Sequence, residues 1–387
     1  MSPSVGAALP VRAGGGYTLA MRIGIDGRLT YYRTGGISTY IRRLVSALEA
    51  LDAANDYTVF HSRKASDSLV THFRRGVLWT PSHHRLERLA LSVELTPHRL
   101  DVFHSPDFIP PQRGGRRHVI TVHDLNFLHY PQYLTDESRR YYNDQITWAV
   151  GHADHILTDS EASRQDMVAI LGVPAEKITV HMLGVDESFR PLPEADLVEA
   201  RQVLELPERY LLFVGTFEPR KNIAGLLESY QMLVQRLPGA PPLVLAGNRG
   251  WLFDETMARI ATLKLGERVL WREGISQALM PALYNGAVAL VTPSFYEGFG
   301  LPALEAMACG TVPIVSNRSS LPEVVGDVGL QVEPENTAGI ADALEQAISD
   351  DAWRAQMVAA GLARARTFTW ANTARIARSV YEAVANG

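Results

Sequence analysis

The feature that most restricts this chain is a recurring unit: a short apolar run rich in Val and Ile, then turn residues, then a stretch with helical spacing. A strand buried on both faces of a parallel sheet reads as a continuous apolar run, whereas a strand with one wet face alternates. Parallel neighbours also need a crossover connection, usually a helix. The repeated order of strand and helix therefore predicts an α/β fold. In the first half the runs are Ile23–Asp26, Tyr57–His61, Val102–Ser105, Val119–Val122, His155–Thr158 and Ile178–His181. The pattern pauses from Gly184 to Glu208, where a Pro-bearing segment leads into a short polar helix. A second series then follows at Tyr210–Val214, Leu243–Ala246, Val269–Trp271, Ala289–Thr292 and Val312–Val315, with a strand stub after Gly329. Two doubly wound domains are expected, over 21–186 and 187–368, with a closing amphipathic helix over 369–387. Ligands of such sheets lie outside the carboxyl ends of the strands, so the site is expected in the cleft between domains.

Composition narrows the function. A chain of 387 residues with 46% hydrophobic residues holds enough apolar material for more than one core. Its net charge of −5 argues against a general nucleic-acid binder, which needs a basic excess. The single cysteine, Cys309, sits in the apolar run Ala306-Met307-Ala308 and reads as a buried thiol with no intramolecular partner. Residues 1–20 are rich in Gly, Ala and Pro and lack a stretch apolar enough for a signal peptide or a membrane span. The expectation is a disordered leader and a cytoplasmic protein. Between His61 and His118, ten Lys or Arg residues stand against five acids in an otherwise acidic chain. That local excess fits either a scattered solvated surface or a first domain facing an anionic acceptor at a membrane surface, with peripheral contact at its inner face.

The densest chemistry lies in Ser294-Phe295-Tyr296-Glu297-Gly298-Phe299-Gly300-Leu301-Pro302-Ala303-Leu304-Glu305. A strand ends just before it, Gly298 and Gly300 permit close approach of backbone to a ligand, and Pro302 suits a first helical turn. Free amides at that helix start would face a phosphate. Glu297 in the loop and Glu305 in the helix can then reach one ligand lying over the helix end, although on spacing alone either could be merely solvated.

A second cluster, Gly215-Thr216-Phe217-Glu218-Pro219-Arg220-Lys221-Asn222, follows the first strand of the second series. Adjacent cations at a strand's carboxyl end suit a departing diphosphate, which needs positive charge as its bond breaks. No Asp-x-Asp ends an apolar run, so side-chain cations rather than a metal are expected to meet that charge. In the first series, Gly35 and Gly36 open a helix with apolar Ile37, Tyr40, Ile41, Leu44, Val45 and Leu48, and they suit either a tight turn or a phosphate or acceptor contact. His123 and Asp124 project from a strand end, as a structural hydrogen-bonded pair or as a functional one. Asn248 and Arg272 end two further strands and are read as donor-side residues or as surface turns. The full Gly-x-Gly-x-x-Gly fingerprint is missing, which disfavours a dehydrogenase.

The pattern Ser-x-x-Glu-Gly-Phe-Gly-Leu-Pro-x-x-Glu-Ala-x-Ala-x-Gly resembles the donor-site signature of the retaining GT-B glycosyltransferases of family 4, and the resemblance runs from about Met21 to the end. It implies two facing Rossmann-like domains. It also implies transfer of a hexose, with retention and without a metal, from a nucleotide-diphosphate sugar to a glycan or lipid-linked acceptor. By the same resemblance Glu297 contacts the transferred sugar, Glu305 the ribose hydroxyls, Lys221 the phosphate, and His123 the sugar from the other side. Gly35, Gly36, Asn248, Arg272, Gly298, Phe299, Gly300 and Leu301 surround the donor. The chain departs from the family at Thr216, where many members carry arginine, which leaves Arg220 to take over that charge. The sub-pattern Gly-Thr-x-Glu-Pro-Arg-Lys-Asn is similar to that of bacterial enzymes building surface polysaccharides, several of which use GDP-mannose, so mannose is expected before glucose. The competing readings are a nucleotide-sugar epimerase of the same shape and a two-domain sugar-binding protein without catalysis.

Overall fold

The first apolar run becomes β1 (Arg22–Asp26), with Ile23 and Ile25 fully buried at the centre of a sheet. The computed structural model describes residues 20–32, 35–84, 86–133, 136–250 and 252–387. The expected leader thus lies, but for Ala20, outside the described residues. β1 is flanked on one side by β2 (Asp56–Ser62) and β3 (Arg74–Leu78), and on the other by β4 (Leu100–Ser105), β5 (Gly115–Thr121), β6 (His155–Thr158) and β7 (Ile178–Val180). The order is β3-β2-β1-β4-β5-β6-β7, every neighbouring pair being parallel.

The second series builds a separate parallel sheet from β8 (Tyr210–Val214), β9 (Leu243–Ala246), β10 (Val269–Arg272), β11 (Ala287–Thr292), β12 (Val312–Ser316) and β13 (Leu330–Val332). Its order is β10-β9-β8-β11-β12-β13. Both sheets reverse direction beside their first strand, between β1 and β4 and between β8 and β11. Those switch points splay successive crossover helices to opposite faces and open a crevice at the strand ends.

Helical periodicity is realised where it was legible. The helix Gly36–Leu51 buries Tyr40, Ile41, Leu44, Val45 and Leu48, each burial stabilising by about 1.5–3 kcal/mol. Its entry needs Gly35, whose φ of 137° an L side chain rarely adopts. Cys309 is buried and free, as expected. No helix among the described residues is long and apolar enough to cross a membrane.

The terminal helix Trp370–Asn386 is capped by Thr369, whose hydroxyl accepts from the Asn372 amide, and it packs on the helix Gly36–Leu51 and on β4 and β5. The Tyr381 hydroxyl meets His104 Nδ1 at 2.7 Å, pinning the chain's end to the first sheet. Outgoing and returning segments cross side by side: Val185 N donates to Phe368 O at 3.2 Å. A Cβ on Gly184 would lie 2.2 Å from Trp370 N, so only glycine permits that crossing.

Candidate active site

A cleft of about 630 Å³ opens between the sheets, and its walls come from segments following the carboxyl ends of β1, β4, β5, β6 and β7 on one side and of β8 and β11 on the other. Gly35, Gly36, His123, Arg220, Lys221, Glu297, Gly298, Phe299, Gly300, Leu301 and Glu305 all line it. Two expected donor residues do not. Arg272 donates to the Leu204 and Glu205 carbonyls at 2.6 Å each, and Asn248 Oδ1 accepts from Gly274 N at 3.4 Å. The reason is topological: β9 and β10 lie outside the β8–β11 switch point, so their loops are set to one side.

Glu297 is the electrostatic centre. Its Oε1 accepts from Lys221 Nζ at 2.6 Å and from Ser294 Oγ at 2.7 Å, while Oε2 accepts from Arg220 Nη1 at 2.8 Å. Burial by itself raises a carboxyl's pKa, but Lys221 and Arg220 outweigh it and hold Glu297 at about 2. Burial and the neighbouring guanidinium lower the Lys221 ammonium. Arg220 is held above its ordinary range, the pull of Glu297 and Glu218 exceeding the opposition of burial. The chain thus places Arg220 beside Lys221 at the cleft, while Thr216, which also lines it, carries no charge.

The loop carrying Glu297 is shaped by neighbours that local sequence does not reveal. Ser319 Oγ accepts from Glu297 N at 2.9 Å, and the Ser320 hydroxyl lies within 2.8 Å of Glu297 O and 2.9 Å of Phe299 O. Gly300 then starts the helix Leu301–Ala308 with φ of 103°. The glycines of this loop have a reason beyond ligand approach. A Cβ on Gly298 would stand 2.7 Å from His123 O, and one on Gly300 would stand 2.6 Å from Leu321 Cδ2. Gly298 is therefore required by the opposite wall of the cleft.

Glu305 sits one turn into that helix, where its Oε2 accepts from the Tyr284 hydroxyl at 2.7 Å. No cation pairs with it among the described residues. Burial pushes its pKa up to about 7, the Tyr284 hydrogen bond offsetting only part of this.

His123 faces Glu297's loop from the first sheet with both ring nitrogens occupied. Nδ1 meets Asp159 Oδ2 at 2.6 Å and Nε2 meets the Pro106 carbonyl at 2.9 Å. Both partners are acceptors, so the ring carries both protons. Burial opposes that charge, yet Asp159, with help from Asp107, holds the pKa up to about 9. The His123 carbonyl accepts from Ser163 Oγ at 3.0 Å. Asp124 lines the cleft, its Oδ1 accepting from Asn126 N at 2.9 Å.

Polar contacts also cross the cleft. The Tyr296 hydroxyl donates to Asp166 Oδ2 at 2.7 Å, and His129 meets the same oxygen at 2.8 Å. Glu323 accepts from the Glu161 and Ala162 amides at 2.8 and 2.7 Å, capping a first-half helix from the second half. Ser294 was present in the Ser-x-x-Glu pattern and could have been assigned; Tyr284, Tyr296, Asp159, Ser319 and Ser320 carried no such mark.

Comparison with known proteins agrees with this architecture. Residues 34–189 match the model for Glycosyltransferase Family 4, and residues 198–364 match Glycosyl transferases group 1. The O-antigen chain mannosyltransferase B of Escherichia coli is 34% identical over 362 residues, covering 88% of this chain and 94% of its own. Among solved structures, sucrose-phosphate synthase from Thermosynechococcus elongatus superposes with a TM-score of 0.74 at 23% identity, covering 94% of this chain and 98% of its own. Anabaena HepE in complex with UDP and glucose gives 0.73 at 18% identity, covering 94% and 100%. With two facing parallel sheets, a cleft at their switch points and a relative matched over nearly its whole length, the chain belongs to the family 4, group 1 glycosyltransferases and has the GT-B fold.

Proposed function

We propose that this glycosyltransferase moves mannose, with glucose as the next candidate, from a nucleotide-diphosphate sugar to a hydroxyl of a glycan or lipid-linked acceptor, with retention of configuration and without a metal. GDP-mannose leads because the O-antigen chain mannosyltransferase B, matched over 94% of its own length, bears that activity in its name, and UDP-glucose follows because HepE forms a complex with UDP and glucose. The observation carrying the reading is the convergence of Lys221 and Arg220 on Glu297 beside the start of the helix Leu301–Ala308.

In this reading the donor diphosphate lies over the helix start, with Lys221 and Arg220 against its oxygens. The bond from the anomeric carbon to the diphosphate oxygen breaks while the acceptor oxygen bonds to that carbon on the same face. The departing oxygen takes the acceptor's proton, so no side chain acts as covalent nucleophile. Growing negative charge on the diphosphate meets preorganised cations, which stabilise it without reorganisation. Glu297, ionised at any working pH, accepts from hydroxyls of the transferred sugar. Glu305 accepts from the ribose. His123 acts through its carbonyl, since its ring nitrogens are committed and its imidazolium would oppose positive charge at the anomeric carbon. A carbonyl retains a second lone pair beyond the one given to Ser163.

A donor panel tests this. Purified protein is incubated with GDP-mannose, UDP-glucose and related donors, with and without acceptor and with EDTA, and nucleotide-diphosphate release is measured. Release should be fastest with GDP-mannose, should rise with acceptor and should survive chelation. Activity abolished by EDTA and restored by magnesium or manganese would overturn the metal-free assignment.

A further inference from the structure

Of the eleven large apolar side chains that the described residues leave exposed, seven lie between Tyr31 and Val93. Val77 is on the edge strand β3 and Trp79 just beyond it, while Leu89 and Val93 stand one turn apart on the helix Glu87–Leu95, which Leu86 precedes. Core packing does not need them. That helix already buries Leu91 and Leu95 against Phe60, Leu78 and Phe103. Trp79 is nonetheless 68% exposed and Val93 75%.

Hydrogen bonds and ring contacts tie the elements that carry these residues together. Glu94, next to Val93, accepts from the amides of Trp79 and Thr80 at 2.6 and 3.0 Å, fixing the helix against the end of β3. The exposed pair Tyr31 and Tyr32 pack edge to face at 5.0 Å, and the Tyr32 hydroxyl meets Ser62 Oγ at 3.2 Å. Arg63, the next residue, lays its guanidinium over the Trp79 ring at 4.8 Å.

The charges of this face are sorted by sign. Glu87 is turned inward onto Arg28 at 2.6 Å, Glu94 is held by backbone amides, and Asp67 faces Arg42 at 3.4 Å. Arg63, Lys64 and Arg75 remain exposed around the apolar residues. Apolar side chains with Trp and Tyr among them and arginines at the rim match an interface of acyl chains below anionic phosphates. Exposed apolar side chains gathered on neighbouring elements in this way mark an interaction surface rather than ordinary solvated surface.

We propose that the face built from β3, residues 86–93 and Tyr31-Tyr32 seats the protein on a bilayer containing anionic lipid. Glu87 binds Arg28, and the adjacent Leu29 lines the cleft, so seating this face brings the cleft mouth to the lipid surface, where a lipid-linked acceptor would be delivered. The docking stands on this surface alone; the delivery rests on the transferase reading above.

Flotation of the full chain with phosphatidylcholine vesicles, with and without phosphatidylglycerol, tests it. The parental protein should float with the anionic vesicles only, and less at high salt. Leu89→Gln with Val93→Gln should lower partitioning on the order of tenfold, and Arg63→Glu should lower it chiefly at low salt. Transfer to a short water-soluble acceptor should be unchanged in both variants, which also shows that they fold. Failure to float, or variants that float like the parent, would overturn the proposal. So would a parental dimer in sedimentation that the double variant dissolves, since the face would then join two copies of this chain. Flotation retained without transfer to any acceptor would support the docking and count against the transferase reading.

Discussion

Glu297 and Glu305 come from one loop and the helix it starts, and both line one cleft, yet their surroundings drive them apart. Glu297 is met by two cations and a hydroxyl and is held at about 2. Glu305, near a tyrosine hydroxyl and with Asp186 adding repulsion, is raised to about 7 by burial. The motif supplies carboxylates, while through-space partners assign their chemistry. Glu297 is an acceptor across the working range of pH, whereas Glu305 gains or loses a proton within it.

Stability should separate them with opposite signs. Glu297's folded value lies below its ordinary 4.5, so its contribution is present above 4.5 and is lost as pH falls toward 2. Glu305's folded value lies above 4.5, so its contribution is present below 4.5 and is lost as pH rises through about 7.

The strongest way to break this contrast is at the charged cluster. Lys221→Ala should lower kcat on the order of 10²–10³, as for other lost stabilisers of transition-state charge. Glu297→Ala should also lower kcat while leaving binding of free nucleotide diphosphate nearly unchanged by calorimetry. Near-parental kcat/KM in both variants, folded by circular dichroism, would remove the cluster from the mechanism. At the second carboxylate the form of the defect changes: Glu305→Ala should raise donor KM about tenfold, the loss of a hydrogen bond to a charged group, with kcat little altered.

A pH series sharpens the same contrast. Because ionised Glu305 accepts from ribose hydroxyls better than its protonated form, parental donor KM should fall as pH rises through about 7. Glu305→Gln should flatten that dependence, and a slope that persists would assign it to another group. The smallest effect concerns the cleft crossing. Tyr296→Phe loses the bond to Asp166, next to Glu297, and should lower kcat by about threefold to tenfold. Asp166→Asn should repeat that loss and add its own through His129, which meets the same oxygen, so the double variant should lose less than the sum of the two single losses; fully additive losses would show that Tyr296 acts elsewhere.

How much of this was readable depends on whether the cause is local. Ten of the eleven expected runs appear as strands within about two residues of their bounds, in keeping with ordinary boundary scatter, whereas β5 begins at Gly115, four residues before the expected Val119, because its polar Gly115-Arg116-Arg117-His118 start carries no apolar run. β3 escaped notice because Arg74-Arg75-Gly76-Val77-Leu78 carries too little apolar run, and as an edge strand it buries only Gly76 and Leu78. Gly298 was legible as a position needing glycine, but the group it must admit, the His123 carbonyl, belongs to the other half of the chain. Asn248 and Arg272 looked equivalent to other strand-end residues because strand order is not written in any one strand.

The alternation of strands and helices, the helix start at Gly300 and Pro302, the carboxylate pair and the adjacent cations are all readable from the residues in order. Apolar period and turn chemistry act over a few residues, so these are fixed by neighbours along the chain. Only folding brings Lys221 and Arg220 together on Glu297, sets the Tyr284 hydroxyl beside Glu305, and closes Asp159 and Pro106 on the His123 ring. Proton affinity and orientation in a buried site depend on distance and desolvation, and those are set only when strands far apart in sequence end at the same crevice.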